Sequence, residues 1–273
     1  MRTGLPSFTA MIVAGARAAA DVDAVAERLV PQPFGALLHT LRGSRLARFF
    51  SAGLVDHLEL RTRAIDDVVA GAKARQLVVL GAGLDARAFR LEALSSTVVF
   101  EIDHPSTQAY KRARVAGLTR TAREVRFVGV DFERDDLAER LESAQHDSAL
   151  PTTWIWEGVT PYLTRSAVEG TLRVIAARSA QQSVLVMTYG TPDLGTVPRA
   201  LRPFVGPAFR LLGEELRGLM TTEQAHEVVR AHGFDVVDDD KVADLAIRHG
   251  LRAPRLVVSE HVLVARPNPS AGP

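Results

Sequence analysis

With 273 residues, the chain is long enough for one α/β domain carrying an elaborated cap over a fully buried core. Its 47% hydrophobic and 24% charged residues are the balance of an ordinary globular domain, and a net charge of +1 offers no electrostatic case for a nucleic-acid partner. The absence of cysteine excludes disulfides, thiolate metal sites and cysteine nucleophiles.

Residues 1 to 72 read as a helical cap. Arg2 ahead of the apolar stretch 8–16, with Ala18-Ala-Ala20 behind it, imitates a signal peptide. However, Arg17, Asp21, Asp23, Glu27 and Arg28 interleave with Met11, Val13, Val22, Val25 and Leu29 as in an amphipathic helix, so a cytoplasmic protein is expected. No apolar run reaches bilayer length, which leaves out a membrane partner. Pro31 and Pro33 interrupt this first helix, and 34–40 and 46–52 follow as short apolar-periodic pieces. Leu54 to Val69 then repeats leucine, isoleucine and valine at helical spacing. It carries Arg61 and Arg63, which on a surface helix are ordinarily solvated; their position one helix before a glycine loop keeps a ligand role open for both.

From Gln76 the period changes. Residues 76–80, 97–102, 125–130, 153–157 and 183–189 are short β-rich runs separated by helical stretches, the pattern of parallel βαβ units. The first runs into Gly81-Ala-Gly83-Leu-Asp85 and a helix, an arrangement that offers backbone and a helix N-terminus to a nucleotide-like ligand. Read as Gly81-x-Gly83-x-x-Ala86 it satisfies a dinucleotide fingerprint. Read with Asp85 it fits a methyltransferase loop equally well.

The second run ends Glu101-Ile-Asp103. An acid there, about 20 residues past the glycine loop, suits a ribose diol, and both acids share one side of the strand. Capping of the next helix is the competing role for Asp103. The third run ends Asp131-Phe132, a carboxylate and ring suited to adenine, with Asp135 or Asp136 as helix caps downstream. The fourth carries Trp154-Ile-Trp156-Glu157, and a carboxylate beside tryptophans needs a partner. Past Tyr189, residues 190–222 form a proline-punctuated insert in which Arg199, Arg202, Arg210 and Arg217 lie among Leu201, Phe204, Val205, Phe209 and Leu211. Thr221 or Thr222 then caps a helix to about His232, 234–237 and 256–265 close the sheet, and 266–273 reads as a tail.

Together, Gly-Ala-Gly-Leu-Asp in the first loop, Glu-x-Asp-x-Pro after the second strand and Glu-Gly-x-x-x-Tyr-Leu after the fourth resemble the leucine carboxyl methyltransferase-like family, which includes bacterial polyketide O-methyltransferases. The resemblance covers residues 7 to 190. It implies a class I methyltransferase Rossmann-like sheet of seven strands, mostly parallel with the last antiparallel. A cap over 1–72, a domain over 73–265 and the insert 190–222 would complete it. The implied cofactor is S-adenosylmethionine. By the same resemblance Arg61 pairs with its carboxylate, Gly81 and Gly83 line it, and Asp103, with Glu101 beside it, takes the ribose. Asp131 and Phe132 take the adenine, where phenylalanine replaces the family's leucine, and Glu157 lies near the amino group. Arg17 is a candidate for the family's N-terminal basic contact.

The activity so implied is O-methylation of a carboxylate or hydroxyl on a small molecule, possible acceptors including a polyketide. A nicotinamide-dependent oxidoreductase and a non-catalytic binding protein stand as alternatives. A hydroxyl acceptor needs a base, for which His39, His104 and His226 are candidates, each also readable as a packing or surface histidine. No close histidine pair has zinc-ligand spacing, so no metal is expected.

Overall fold

The computed structural model describes residues 8–31, 53–132, 134–193, 199–200, 202–203, 206–207, 216–254 and 259–270. The expected pieces 34–40 and 46–52, His39, and Leu201, Phe204, Val205, Phe209, Arg210 and Leu211 of the insert lie outside them.

Seven strands form one sheet in the order β3-β2-β1-β4-β5-β7-β6. They are β1 (Gln76–Leu80), β2 (Val98–Asp103), β3 (Glu124–Gly129), β4 (Thr152–Trp156), β5 (Val184–Gly190), β6 (Phe234–Lys241) and β7 (Glu260–Pro267). The first five run parallel, whereas β7 is antiparallel to both β5 and β6. Strand order reverses between β1 and β4, which opens a crevice at their carboxyl ends, the place where open α/β sheets take ligands.

The central strands are buried on both faces, which is why they read as unbroken apolar runs. Phe100, Trp154, Trp156, Leu185 and Met187 fill one face. Val79, Ile155 and Val186 fill the other, against Leu60, Ile65 and Val69 of the long helix 54–72.

Three boundaries differ from expectation. Strand β7 runs on to Pro267, so Arg266 and Pro267, expected in the tail, pair with β6. The N-terminal helix does not run to Pro31. It divides into α1 (Phe8–Ala19) and α2 (Ala26–Leu29). Asp21 adopts φ +65°, and the Asp23 carboxylate accepts from the N–H groups of Val25 and Ala26, so two short acids build a turn inside an apolar-periodic stretch. The helix 54–72 is therefore α3. Strand β6 continues through Asp238-Asp-Asp240 beyond the expected end at Val237, with an irregularity between Val236 and Asp238. It is an edge strand, where Asp238 meets water and discourages pairing with another chain, while Asp239 turns inward.

Further helices are α4 (Arg87–Arg90), α5 (Pro105–Val115), α6 (Leu137–Ser143), α7 (Arg165–Ala177), α8 (Thr222–Ala231) and α9 (Leu245–His249). Thr221 caps α8 in a reciprocal box with Gln224. Thr221→Ala is expected to lower stability by about 1 kcal/mol in urea unfolding, and an unchanged midpoint would refute this role for the cap. Among the described residues no helix is long and apolar enough to cross a membrane.

Candidate functional site

β1 delivers the chain into Gly81 and Gly83 with φ of +66° and +47°, the left-handed region that side chains resist. A Cβ on Gly81 would overlap the Val159 side chain, and one on Gly83 would reach Ala10 of α1 at 3.5 Å. The loop is thus a narrow cradle between the β4 loop and the N-terminal helix.

Asp103 sits directly beneath it. Its carboxylate accepts from the Gly83 N–H at 2.5 Å and the His104 N–H at 2.6 Å. Burial pushes this carboxyl up despite those two donors. Asp103 does not cap α5; that role falls to His104, whose Nδ1 accepts from the Ser106 N–H.

Glu101 lies on the same side of β2, as alternation requires, yet its carboxylate is sealed 2.5 Å from Lys111 Nζ of α5. Both side chains are 1% exposed. Burial outweighs the lysine and pushes Glu101 up to about 7. Of the two acids, only Asp103 reaches the glycine loop.

The end of β3 lies beside that of β2, with the Val130 N–H donating to the Asp103 carbonyl. Asp136 caps α6, and Asp131 is left at the sheet edge with a carboxylate oxygen 3.8 Å from Arg134 Nε. Phe132 beside it is 44% exposed, an open apolar ring past the end of β3.

Glu157, just past β4, anchors a buried network. Its Oε1 accepts from Arg61 Nε at 2.9 Å, and its Oε2 from Arg87 Nη1 at 2.9 Å. Burial alone would raise this carboxyl, but Arg87 and Arg61 hold it well below the usual range. Arg61 also donates through Nη1 to both oxygens of Glu260 at 3.0 Å, and Glu260 meets His57 Nε2 at 2.6 Å. Against burial, Arg61 and His57 bring Glu260 down to about 2. Arg87, 1% exposed, further binds Asp85 and Asp66, and Arg90 binds Asp66 and approaches Asp23. Arg17, the expected N-terminal basic residue, is buried above the loop, donating to the Leu84 carbonyl at 2.8 Å.

Arg61 and Arg63 therefore part company: the first is buried between acids, the second partly exposed and paired with Glu59. Sequence reasoning singled out neither Arg87, Asp66, His57 nor Glu260. Arg87 follows Asp85 by two residues, which was the one local signal; the others are joined only in space.

Beyond the network, the insert returns over the β4 loop, where the Arg217 and Gly218 N–H groups both donate to the Pro161 carbonyl. A Cβ on Gly218 would collide with the Thr160 carbonyl. His226 is engaged by Asp239, which also accepts from Tyr189 and meets His261, so this cluster ties α8 to β5, β6 and β7. Among the described residues no group of three His, Asp or Glu side chains is placed to hold a metal.

Residues 10–176 match the leucine carboxyl methyltransferase family. A Mycolicibacterium smegmatis protein provisionally named an S-adenosyl-L-methionine-dependent methyltransferase is 37% identical over 250 residues, covering 84% of this chain and 73% of that one. A Streptomyces coelicolor protein of the same provisional name is 39% identical over 158 residues, 55% of this chain and 52% of that one. In structure, a DUF574 family protein from Streptomyces avermitilis superposes with a TM-score of 0.61 at 18% identity over 96% of this chain and 98% of that one. Magnesium protoporphyrin IX methyltransferase from Synechocystis, with bound SAH, does so with a TM-score of 0.53 at 10% identity over 79% and 87%. These two likenesses speak to fold; the extent of the sequence match speaks to descent, and by it the chain belongs to the leucine carboxyl methyltransferase family.

Proposed function

We propose that this protein is an S-adenosylmethionine-dependent methyltransferase that modifies an oxygen of a small molecule. The observation that carries the reading is the Asp103 carboxylate held against the Gly83 N–H at the switch point, with Arg61 and Glu157 on the same sheet edge. The residues suit the cofactor. Two left-handed glycines bare the backbone where β1 ends, and the polar groups match an adenosyl amino acid in kind: an acid for a diol, a guanidinium for a carboxylate, an acid for an ammonium. The relatives named above and the product-bound neighbour support the same choice.

S-adenosylmethionine supplies an electrophilic methyl group on a sulfonium. The chain's task would be alignment: Asp103 would hold the ribose, Asp131 and Phe132 the base, and Arg61 and Glu157 the amino-acid end, leaving the methyl group to be offered to the acceptor. The insert's return segment over 216–220, tied to Pro161, would border the acceptor side. A carboxylate acceptor needs no base. A hydroxyl acceptor, as on a polyketide, is the second substrate class to screen.

Isothermal titration with S-adenosylhomocysteine is expected to show binding that Asp103→Ala weakens by about 10- to 100-fold, the loss of a charged hydrogen-bond acceptor. Absence of binding to the wild-type protein would overturn the reading.

A further inference from the structure

Glu260 lies outside the residues that match the family, yet it stands at the centre of the site. Because β7 runs against β5, its first residue pairs with Gly190, the last of β5, and so arrives at the same carboxyl edge as Gly81, Asp103 and Glu157. Alternation turns His261 to the far face, where it meets Asp239, and turns Glu260 toward α3. There it grips Arg61 Nη1 through both oxygens, while Glu157 takes Nε and Nη2 on the guanidinium's other side.

One arginine thus stands between two buried carboxylates. The wider network has the same imbalance. Arg17, Arg61, Arg87 and Arg90 face Asp23, Asp66, Asp85, Glu157 and Glu260, four guanidinium cations against five carboxylates, with His57 beside Glu260 the one further group in the network able to carry positive charge. Asp23, Asp66 and Asp85 are enclosed by Arg17, Arg87 and Arg90, and Arg87 also reaches Glu157, so the acid with no guanidinium but the shared Arg61 is Glu260. A buried negative charge without its full complement is costly, and a cationic ligand would complete it. A ligand carboxylate that engages Arg61 draws positive charge away from both glutamates and deepens the deficit. A zwitterionic amino-acid end supplies both halves at once.

Resting on the cofactor reading above, we propose that Glu260 is a binding residue for the ligand's α-ammonium group, acting with Glu157 across Arg61, and that His57 is the positioning residue that orients it. His57 fits that role because its Nε2 contact fixes one oxygen of Glu260 from within α3, inside the buried face. The alternative is a purely structural acid that only pins Arg61. The two differ in which part of the ligand they sense.

The test titrates three ligands: S-adenosylhomocysteine, its desamino analogue, which keeps the carboxylate, and 5′-methylthioadenosine, which lacks the amino-acid end. In Glu260→Gln, affinity for S-adenosylhomocysteine is expected to fall about 10-fold or more, while the desamino analogue and methylthioadenosine stay within about two-fold of wild type. Equal losses for S-adenosylhomocysteine and the desamino analogue would mean that Glu260 acts only through Arg61, and would overturn the proposal. Unchanged S-adenosylhomocysteine affinity would overturn it too. Unchanged methylthioadenosine binding reports that the variant is folded. Should the glutamine variant not fold, Glu260→Asp keeps the charge but withdraws it by one methylene, and must show the same selective loss. If wild-type protein binds none of the three ligands, the cofactor reading falls and this inference with it; binding without selectivity removes this inference alone.

Discussion

Arg87→Ala is expected to destabilise the protein by about 3–5 kcal/mol, the cost of stranding buried charges whose partner has been removed. The side chain is 1% exposed and its guanidinium reaches Asp66, Asp85 and Glu157 from one position on α4. Burial would lower its pKa, but the three acids raise it well above the usual value, so it is charged throughout the accessible range. Alanine leaves three carboxylates facing one another with Arg61 and Arg90 as their remaining cations. Against a typical total of roughly 5–15 kcal/mol, such a loss puts the variant near the limit of folding. Lysine retains the charge but not the planar fork, so Arg87→Lys recovers only part of it. Urea unfolding of the two variants checks this, and a loss under about 1 kcal/mol for alanine would show that the network is not cooperative.

Stability should be nearly flat between about pH 5 and 7 and then fall steeply on further acidification. Three kinds of group set this profile. Glu260 is depressed to about 2, and Glu157 and Asp85 are also depressed, so their contribution is present above the unfolded carboxylate pKa and is lost as pH falls through the folded values. For Glu260 that is about 3 kcal/mol. Glu101 has the opposite sign. Raised to about 7, it keeps its proton in the folded state, so its contribution is present below the unfolded pKa and lost as pH rises toward 7. His146 compensates. Burial, with Arg178 nearby, lowers it to about 4, so its contribution is present above the unfolded histidine pKa and lost as pH falls toward 4. Shifts of similar size and opposite slope cancel between about pH 4.5 and 6.5, leaving the acid limb to the Arg61 and Arg87 carboxylates. In His146→Gln the cancellation is gone, and stability should fall by about 2 kcal/mol as pH rises from about 5 to 7. A wild-type loss above about 2 kcal/mol between pH 7 and 5 would contradict the account.

Much of the sheet could be read from the chain because parallel strands covered on both faces leave continuous apolar runs, as in Leu77 to Leu80 and Trp154 to Trp156. Asp103, Asp131 and Glu157 were readable for a related reason: each follows such a run, and strand ends are where a doubly wound sheet meets its ligand. Alternation placed Glu101 and Asp103 on one side but said nothing of which helix covers it, and Lys111 of α5 claims the first. Helical spacing sets Arg61 and Arg63 about 200° apart, with Arg61 on the face that Ile65 and Val69 bury, but it gave no sign of the acids that meet Arg61 there. Glu260 and His57 left no local trace. They are 203 residues apart, and their meeting depends on β7 entering the sheet reversed beside β5.

That reversed entry also has a bearing on how the protein is made. A ribosome releases Arg61, Arg87 and Glu157 long before Glu260, and until the final strand inserts, β5 has no neighbour on its outer side. The nascent chain can assemble β1 to β5 with Arg61 paired to Glu157, but the site closes only when β7 slides between β5 and β6. The order of synthesis therefore makes the last strand a checkpoint: the site gains its second carboxylate on Arg61 at the same moment as β5 gains its outer neighbour in the sheet.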